Sequence, residues 1–179
     1  MSAVGLPEVV LIEDSMDDEF LSLRGIQSAG IDCHITIRRE MGPAIELLRS
    51  DFSPIPSLFV VDFSVPRFSG LDMLTEIRRN ERIQLVPVVV LSGGDPGLEL
   101  AECYRFGANS CVVKPYDAKQ YVDHLSQIVC YWLTVNCAFH RSSPHAKRVP
   151  VDPKYVASPK PLPAKKRRMP SLWDFSPFA

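Results

Sequence analysis

Residues 9–14, Val-Val-Leu-Ile-Glu-Asp, join an unbroken apolar run of strand length to two acidic residues. An apolar run without alternation predicts a central strand that is buried on both faces of a parallel sheet. The run ends abruptly at Glu13 and Asp14, so both carboxylates are expected at the carboxyl end of that strand. Ligands of open α/β sheets bind at this edge. The stretch therefore predicts a parallel sheet and the place of its site.

The same alternation of strand-length and helix-length segments continues toward residue 136. Strands are predicted at residues 9–12, 33–37, 58–62, 86–92 and 110–114, and helices at residues 17–29, 43–51, 71–79, 96–106 and 117–133. Crossovers between parallel strands are right-handed, so this (βα)5 order predicts an α/β fold, a flavodoxin-like doubly wound parallel sheet.

Apolar residues at helical spacing predict the side of each helix that faces the sheet. The inward residues are predicted to be Phe20, Leu21, Leu23 and Ile26 in the first helix, Ala44, Ile45, Leu47 and Leu48 in the second, Leu71, Leu74 and Ile77 in the third, and Leu98, Ala101 and Tyr104 in the fourth. Gly30 and Gly107 are expected to end the first and fourth helices. Asp17, Asp18 and Glu19 are interpreted as solvated acids that favour the positive end of the first helix.

Charge and proline content divide the chain into two parts. Residues 1–136 contain 11 Lys and Arg against 19 Asp and Glu, whereas residues 137–179 contain nine Lys and Arg, two Asp and eight of the 16 prolines. Proline at this density breaks helices and sheets. We therefore expect an acidic globular domain at residues 1–136 and a basic, disordered tail at residues 137–179.

Several classes of protein are disfavoured by the composition. No run of about 18 apolar residues exists, and the N-terminus has no basic segment followed by an apolar one, so neither a membrane span nor a signal peptide is expected. The five cysteines form no C-x-x-C pair, which argues against a disulfide framework and a zinc site. A cytoplasmic location is the expectation.

The residues at the strand ends carry the predicted chemistry. The first strand ends at Glu13 and Asp14, the third at Asp62, the fourth at Ser92 and the fifth at Lys114. Three carboxylates at one edge repel one another unless a cation offsets them. Mg²⁺ prefers such oxygen ligands and leaves positions for phosphoryl oxygens, and Lys114 is suited to pair with Asp62 and with a phosphoryl oxygen.

Four motifs resemble the receiver domain of bacterial two-component response regulators. They are V-L-I-E-D-S at residues 10–15, V-V-D-F-S-V-P-R-F-S-G at 60–70, V-V-V-L-S-G at 88–93 and S-C-V-V-K-P at 110–115. Within this CheY-like family the chain is most similar to stand-alone regulators that partner phytochrome-type histidine kinases. The segments E-D-S-M-D-D-E-F-L at 13–21, F-G-A-N-S-C-V-V-K-P at 106–115 and Y-W-L-T-V-N at 131–136 carry this closer resemblance.

The resemblance implies a role for each matching residue. Asp62 is expected to be the phosphoacceptor and, with Asp14, a direct ligand of Mg²⁺. Glu13 is expected to hold the ion through water, and the main-chain carbonyl of Ser64 to complete the ligands.

The phosphoryl group is expected to be held by Ser92, through a hydrogen bond, and by Lys114, through its charge. The function implied is a single-domain response regulator that takes a phosphoryl group from a histidine kinase. Such a protein is not an enzyme with a separate substrate, because it catalyses only its own phosphorylation and dephosphorylation.

Two positions depart from the family pattern. Three residues before the lysine the family usually has Tyr or Phe, and this chain has Cys111. Gly93 and Gly94, after Ser92, are smaller than is common and loosen the loop. Cys111, together with the basic tail, keeps open an alternative, a pseudo-receiver adaptor that recruits partners irrespective of phosphorylation.

Two other α/β classes fit the residues less well. In a flavodoxin-type cofactor binder, the acidic pair Glu13-Asp14 would repel phosphate. A phosphatase of the haloacid dehalogenase class needs an acid two residues after its aspartate, where this chain has Ser64.

The sequence also predicts protein partners. A homodimer is expected through the fourth and fifth predicted helices and the edge strand 110–114. In the tail, residues 165–179 combine four consecutive basic residues with Trp173, Phe175 and Phe178. This combination predicts a short binding motif that engages either the acidic domain of the same dimer or a target protein. No sequence-specific nucleic-acid binding is expected, because the tail has no apolar periodicity for a DNA-binding helix.

Overall fold

The structure is a computed structural model of the 179-residue chain, and it describes residues 5–40, 44, 46, 55–64, 70–93 and 96–137. The chain divides into two units, residues 1–149 and residues 150–179, and every described residue lies in the first. Most of the basic segment thus lies outside the described residues, and the predicted division at residues 136 and 137 stays a prediction.

Five parallel strands form one sheet in the order β2-β1-β3-β4-β5. The strands are β1 Glu8–Ile12, β2 His34–Arg38, β3 Leu58–Asp62, β4 Val88–Ser92 and β5 Ser110–Val113. The described helices, labelled in chain order, are α1 Met16–Ser28, α2 Gly70–Arg79, α3 Pro96–Arg105 and α4 Ala118–Cys130, and a π-helical turn Tyr131–Val135 follows α4. The predicted flavodoxin-like fold is confirmed.

Some predicted boundaries need correction, and one segment is not covered. The fourth strand begins at Val88 rather than residue 86, because Pro87 has no N–H to donate to the ladder. The second predicted helix, residues 43–51, lies outside the described residues except for Ala44 and Glu46, which are both helical. Within the described ranges, none of the helices has the length and apolar content that crossing a membrane requires.

The sheet separates two apolar clusters, one on each face. Val10 and Ile12 of β1 belong to one cluster, and Val9 and Leu11 belong to the other. Successive side chains of a strand point to opposite faces, so a strand covered on both sides must be apolar throughout. This requirement explains the unbroken apolar run of residues 9–12.

Caps and glycines end the helices as the sequence suggests. Ser15 caps α1 by accepting a hydrogen bond from the backbone N–H of Asp18, and Asp117 caps α4 in the same way. Gly30 and Gly107, which follow α1 and α3, have φ angles of 66° and 94°. This left-handed conformation favours glycine, so both predicted helix ends are confirmed.

Three predicted inward residues face solvent instead. Phe20 is 59% exposed, Tyr104 is 52% exposed, and Ala101 is also exposed. The buried face of α1 contains Ile26, and that of α3 contains Cys103. At about 100° per residue, Phe20 lies about 120° around the helix from Ile26, which places it outside the packed face.

The same geometry explains α3, where Ala101 lies about 160° and Tyr104 about 100° around the helix from Cys103.

The other inward predictions hold in part. Leu74, Ile77 and Ile26 are buried, whereas Leu21, Leu23 and Leu71 are partly buried. The side chain of Leu98 and those of Ile45, Leu47 and Leu48 lie outside the described residues, and Ala44 is buried.

Candidate functional site

The carboxyl ends of β1 and β3 bring three carboxylates together. Ile12 pairs with Val61 in the parallel ladder, so Glu13 and Asp14 leave β1 beside Asp62, the last residue of β3. One carboxylate oxygen from each of the three residues lies within 4.8 Å of the other two. Such an all-oxygen set suits a hard divalent cation.

Lys114 lies directly after β5 and forms ion pairs with carboxylates of this site. Its Nζ lies 2.8 Å from Glu13 Oε2, 2.6 Å from Asp18 Oδ2 and 3.2 Å from Asp62 Oδ1. The expected pairing of Lys114 with Asp62 is therefore present, and Glu13 and Asp18 share the same ammonium group.

The contact with Asp18 corrects the interpretation of the first turn of α1 as simply solvated. Asp18 contacts Lys114, and Glu19 is buried and accepts a hydrogen bond of 2.7 Å from Arg39 Nη2. Of the three acids, only Asp17 is exposed. The reason is tertiary: α1 starts at the site edge, so its first turn faces the residues that follow β2 and β5.

Burial controls the ionisation of the site. Glu13 is 0% exposed and Asp62 is 5% exposed. Burial is the largest influence on both carboxyls, and it raises the pKa of Glu13 to about 7 and the pKa of Asp62 above its ordinary value, against the opposing effect of Lys114. Both acids therefore hold their negative charges at a cost that an added cation would offset.

Lys114 keeps its charge in this environment. Burial by itself lowers the pKa of the ammonium group, but hydrogen bonds to Asp18 and Glu13 and the charge of Asp62 outweigh it, so the pKa is raised above its ordinary value. The site thus combines a permanent cation with three carboxylates that it cannot fully neutralise.

One atom of Asp62 is left without a hydrogen bond. Oδ1 is buried and has no hydrogen-bond partner, although Lys114 Nζ is near enough for an ion pair. The backbone N–H of Ser64, in the turn after β3, is hydrogen-bonded to the Asp62 carboxylate. Buried polar atoms are rarely unpartnered, so Oδ1 is an acceptor with capacity for a cation. The residues present therefore fit the metal that the sequence predicts.

Ser92 ends β4 at the same edge, but its hydroxyl is engaged elsewhere. The strand register places Leu91 beside Asp62. Ser92 is 2% exposed, and its Oγ donates a hydrogen bond of 2.6 Å to Glu99 Oε2 on α3. The following Gly93 is exposed, and Gly94 lies outside the described residues.

Cys111 lies in β5 and is partly buried. It packs against the cluster that contains Cys103. Burial is the main reason that the pKa values of both thiols are raised, to about 12 for Cys103. All five cysteines are free thiols in the structure.

Asp18 and Glu99 are the site contacts that the sequence did not indicate. A usable signal existed for Asp18, because the first turn of a helix that follows β1 must begin at the site edge. Glu99 has a weaker signal, since its place in the first turn of α3 follows from Pro96 but its contact with Ser92 depends on the path of the intervening loop.

Similarity to known proteins agrees with this geometry. The probable methanogenesis regulatory protein FilR2 of Methanothrix harundinacea is 28% identical over 131 residues, covering 72% of this chain and 84% of that protein. The response regulator Rcp1 of Synechocystis is 27% identical over 129 residues, covering 70% of this chain and 88% of that protein.

Solved structures show the same fold. The Mn²⁺-bound form of Rcp1 superposes with a TM-score of 0.68 at 25% identity, covering 74% of this chain and 99% of that one. The phosphorylated cyanobacterial phytochrome response regulator RcpA superposes with a TM-score of 0.69 at 22% identity, covering 75% and 99%.

The family is shown by the sequence profile of the response regulator receiver domain, which matches residues 9–126. This match spans both the strand-end carboxylates and Lys114, and it confirms the resemblance deduced from the four motifs. The chain therefore belongs to the response regulator receiver domain family of two-component systems.

Proposed function

We propose that this receiver domain accepts a phosphoryl group on Asp62 from the phosphohistidine of a histidine kinase, in a reaction that depends on Mg²⁺. The observation that carries the proposal is the cluster of Glu13, Asp14 and Asp62, whose oxygens lie within 4.8 Å of one another beside Lys114. Asp62 is the carboxylate of this cluster with a buried oxygen that has no hydrogen-bond partner.

The metal would be held by Asp14 and Asp62 directly, by Glu13 through water and by the main-chain carbonyl of Ser64. When bound, it supplies positive charge and orients phosphoryl oxygens. The three acidic oxygens, and the pKa values of Glu13 and Asp62 that burial raises, support a hard divalent cation. The similar Rcp1 has been solved in an Mn²⁺-bound form.

The protein's own groups account for the transfer. An Asp62 carboxylate oxygen forms a bond to phosphorus while the N–P bond of phosphohistidine breaks, and the imidazole nitrogen keeps that electron pair. Lys114 Nζ, 3.2 Å from Asp62 Oδ1, neutralises charge on the phosphoryl group, and Ser92 donates a hydrogen bond to it. The chain thus acts on itself rather than on a separate substrate.

The test is phosphorylation by acetyl phosphate with Mg²⁺, followed by intact-mass measurement. The full chain is expected to gain one phosphate, and the gain should disappear on chelation. Asp62→Asn should gain none, whereas Asp123→Asn, which changes an exposed acid on α4, should behave like the wild type. An unmodified wild type, or the same adduct in Asp62→Asn, contradicts the proposal.

The alternative function is a pseudo-receiver adaptor that binds its partners irrespective of phosphorylation. The complete set of Glu13, Asp14, Asp62, Ser92 and Lys114 does not favour it. An unmodified wild type that still captures the same partner as Asp62→Asn would support this alternative.

The kinase is proposed to be of the phytochrome type, and the signal to pass onward through protein contacts in the cytoplasm. The support is the sequence resemblance, together with the shared fold of a phytochrome response regulator. A phosphotransfer profile against the purified kinases of the source organism is the test. Fastest transfer from a kinase without a phytochrome sensor would contradict this partner.

A homodimer is proposed through β5, α3 and α4. β5 is an edge strand of the sheet, and Tyr104, Val113 and Tyr116 in and beside these elements are exposed. Light scattering at tens of micromolar should give a dimer mass. A monomer mass both with and without phosphorylation would contradict the proposal.

The proposed protein-binding motif at residues 165–179 lies outside the described residues. Its basis is the run of four cations followed by three aromatic residues. Deleting residues 165–179 should leave phosphorylation of Asp62 intact and remove a bound partner. Unchanged partners and dimer affinity would instead make the tail a solubilising segment.

A further inference from the structure

The hydroxyl of Ser92 is held by a residue that the family motifs do not include. Ser92 Oγ donates to Glu99 Oε2 at 2.6 Å, and Ser92 is almost completely buried. Glu99 lies in the first turn of α3, seven residues after Ser92. This contact therefore links the end of a central strand to the start of the next helix across the loop between them.

A serine hydroxyl has one proton, so it donates to one acceptor at a time. A phosphoryl group on Asp62 offers only acceptor oxygens at neutral pH. Ser92 cannot donate to that group while it donates to Glu99. In the proposed phosphorylated state, in which Ser92 donates to the phosphoryl group, its hydrogen bond to Glu99 is therefore broken.

The release of Glu99 affects the surface of α3 and β5. The Glu99 carboxylate lies four residues before Cys103 on α3, and its charge contributes to the raised pKa values of Cys103 and Cys111, for which burial is the larger cause. Cys111 occupies β5, and its small side chain cannot follow Ser92 as a large ring would. Glu99 is therefore the group that loses a hydrogen bond directly when Ser92 changes partner.

We propose that Glu99 is a positioning residue for Ser92: it holds the hydroxyl in the unphosphorylated state and releases it to the phosphoryl group, so that α3 receives the signal through Glu99. This inference rests on the proposed phosphorylation of Asp62. Its consequence is measurable, because the Ser92–Glu99 hydrogen bond opposes phosphorylation and its loss should make phosphorylation faster.

The experiment measures the rate of phosphorylation by acetyl phosphate with Mg²⁺, and the dissociation constant of beryllofluoride as a non-covalent phosphoryl mimic. Glu99→Ala is expected to increase the rate and tighten beryllofluoride binding about tenfold, as loss of a hydrogen bond to a charged acceptor predicts. Glu99→Gln keeps an acceptor of the same reach without the charge, so its values should lie between those of Glu99→Ala and the wild type.

The matched control is Glu102→Ala, which removes the same charge from an exposed position of the same helix and should leave both values within twofold of the wild type. In a Ser92→Ala background, Glu99→Ala should change neither value by more than twofold. This dependence on Ser92 separates positioning from a general effect on charge or folding.

Three results would overturn the inference. Equal rates for Glu99→Ala and the wild type, or an effect that persists in the Ser92→Ala background, would contradict it while the proposed function stands. A wild type that gains no phosphate and binds no beryllofluoride would contradict the proposed function and, with it, this inference.

Discussion

Charged side chains that are partly or fully buried lie at both ends of the parallel strands, and the two groups of charges are satisfied in opposite ways. At the carboxyl edge, one cation, Lys114, is shared by several acids, and Asp62 Oδ1 has no hydrogen-bond partner. At the amino edge, Arg78 of α2 reaches the residues that precede β4 and β5.

Every donor of the Arg78 guanidinium has an acceptor. Its five hydrogen bonds of 2.7–3.0 Å go to the carbonyl oxygens of Gly107, Gln84 and Val86 and to the side-chain amide oxygen of Asn109. These acceptors are neutral, and burial lowers the pKa of Arg78 to about 10, so the group stays charged at pH 7.

The number of satisfied hydrogen bonds distinguishes a charge that is structural from one that is available for chemistry. A buried ion with every hydrogen bond satisfied fixes the surrounding backbone and has no capacity for a ligand. A buried acidic cluster with too little positive charge destabilises the fold until a cation or a phosphoryl group and its metal arrives. The next three predictions test this difference.

The largest effect is expected from Arg78→Met. The substitution leaves three backbone carbonyls without their donor, so the free energy of unfolding should fall by about 3 kcal/mol. Urea denaturation measures the change. Arg79→Met alters an exposed neighbour on the same helix and should cost less than about 0.5 kcal/mol. Equal losses in the two variants would mean that the Arg78 hydrogen bonds contribute little.

The second prediction concerns Glu13 and pH. The pKa of Glu13 is raised by burial from 4.5 to about 7 in the folded chain, so folding favours the protonated acid. The stability that the protonated Glu13 contributes is fully present below pH 4.5, and it is lost as the pH rises through about 7. Compared with Glu13→Gln in chelating buffer, the wild type should lose on the order of 3 kcal/mol across that range.

Two controls make the Glu13 measurement specific. Glu102→Gln, at an exposed site, should show no such pH-dependent difference from the wild type. Millimolar Mg²⁺ should restore part of the lost stability at pH 7, because a cation favours the ionised acids. A wild-type curve parallel to that of Glu13→Gln would contradict the burial argument.

The smallest effect is expected from Asp18→Asn. Asp18 Oδ2 lies 2.6 Å from Lys114 Nζ, so its loss should leave the ammonium group less well positioned and slow phosphorylation of Asp62 about fivefold. The acetyl phosphate reaction measures this rate. Asp17→Asn, one residue earlier and exposed, is the matched control and should stay within twofold of the wild type. If both variants react alike, Asp18 has no positioning role.

Much of the fold was predictable because its strands are buried on both faces. The runs at residues 9–12 and 58–61 are apolar throughout, as a strand covered on both faces requires, and each is followed at once by an acid. Helix orientation was less predictable. Phe20 and Tyr104 are apolar enough to suggest burial, but the faces that pack contain Ile26 and Cys103 instead.

Part of the candidate site was also predictable. Glu13, Asp14 and Asp62 each follow or end a strand, and parallel strands place their carboxyl ends together, so their proximity follows from topology. Their proposed roles remain predictions. Asp18 and Glu99 were missed because they lie on helices, where the direction of a side chain depends on how the helix docks on the sheet.

The order of the elements and the edge at which the acids collect follow from local patterns of residues, because strand period and the direction of parallel strands are local properties. Which charges meet depends instead on the packing of distant elements. The five hydrogen bonds of Arg78, the sharing of Lys114 and the contact between Ser92 and Glu99 join elements that are separate in the chain. Such contacts depend on loop paths and helix docking, which no local pattern of residues specifies.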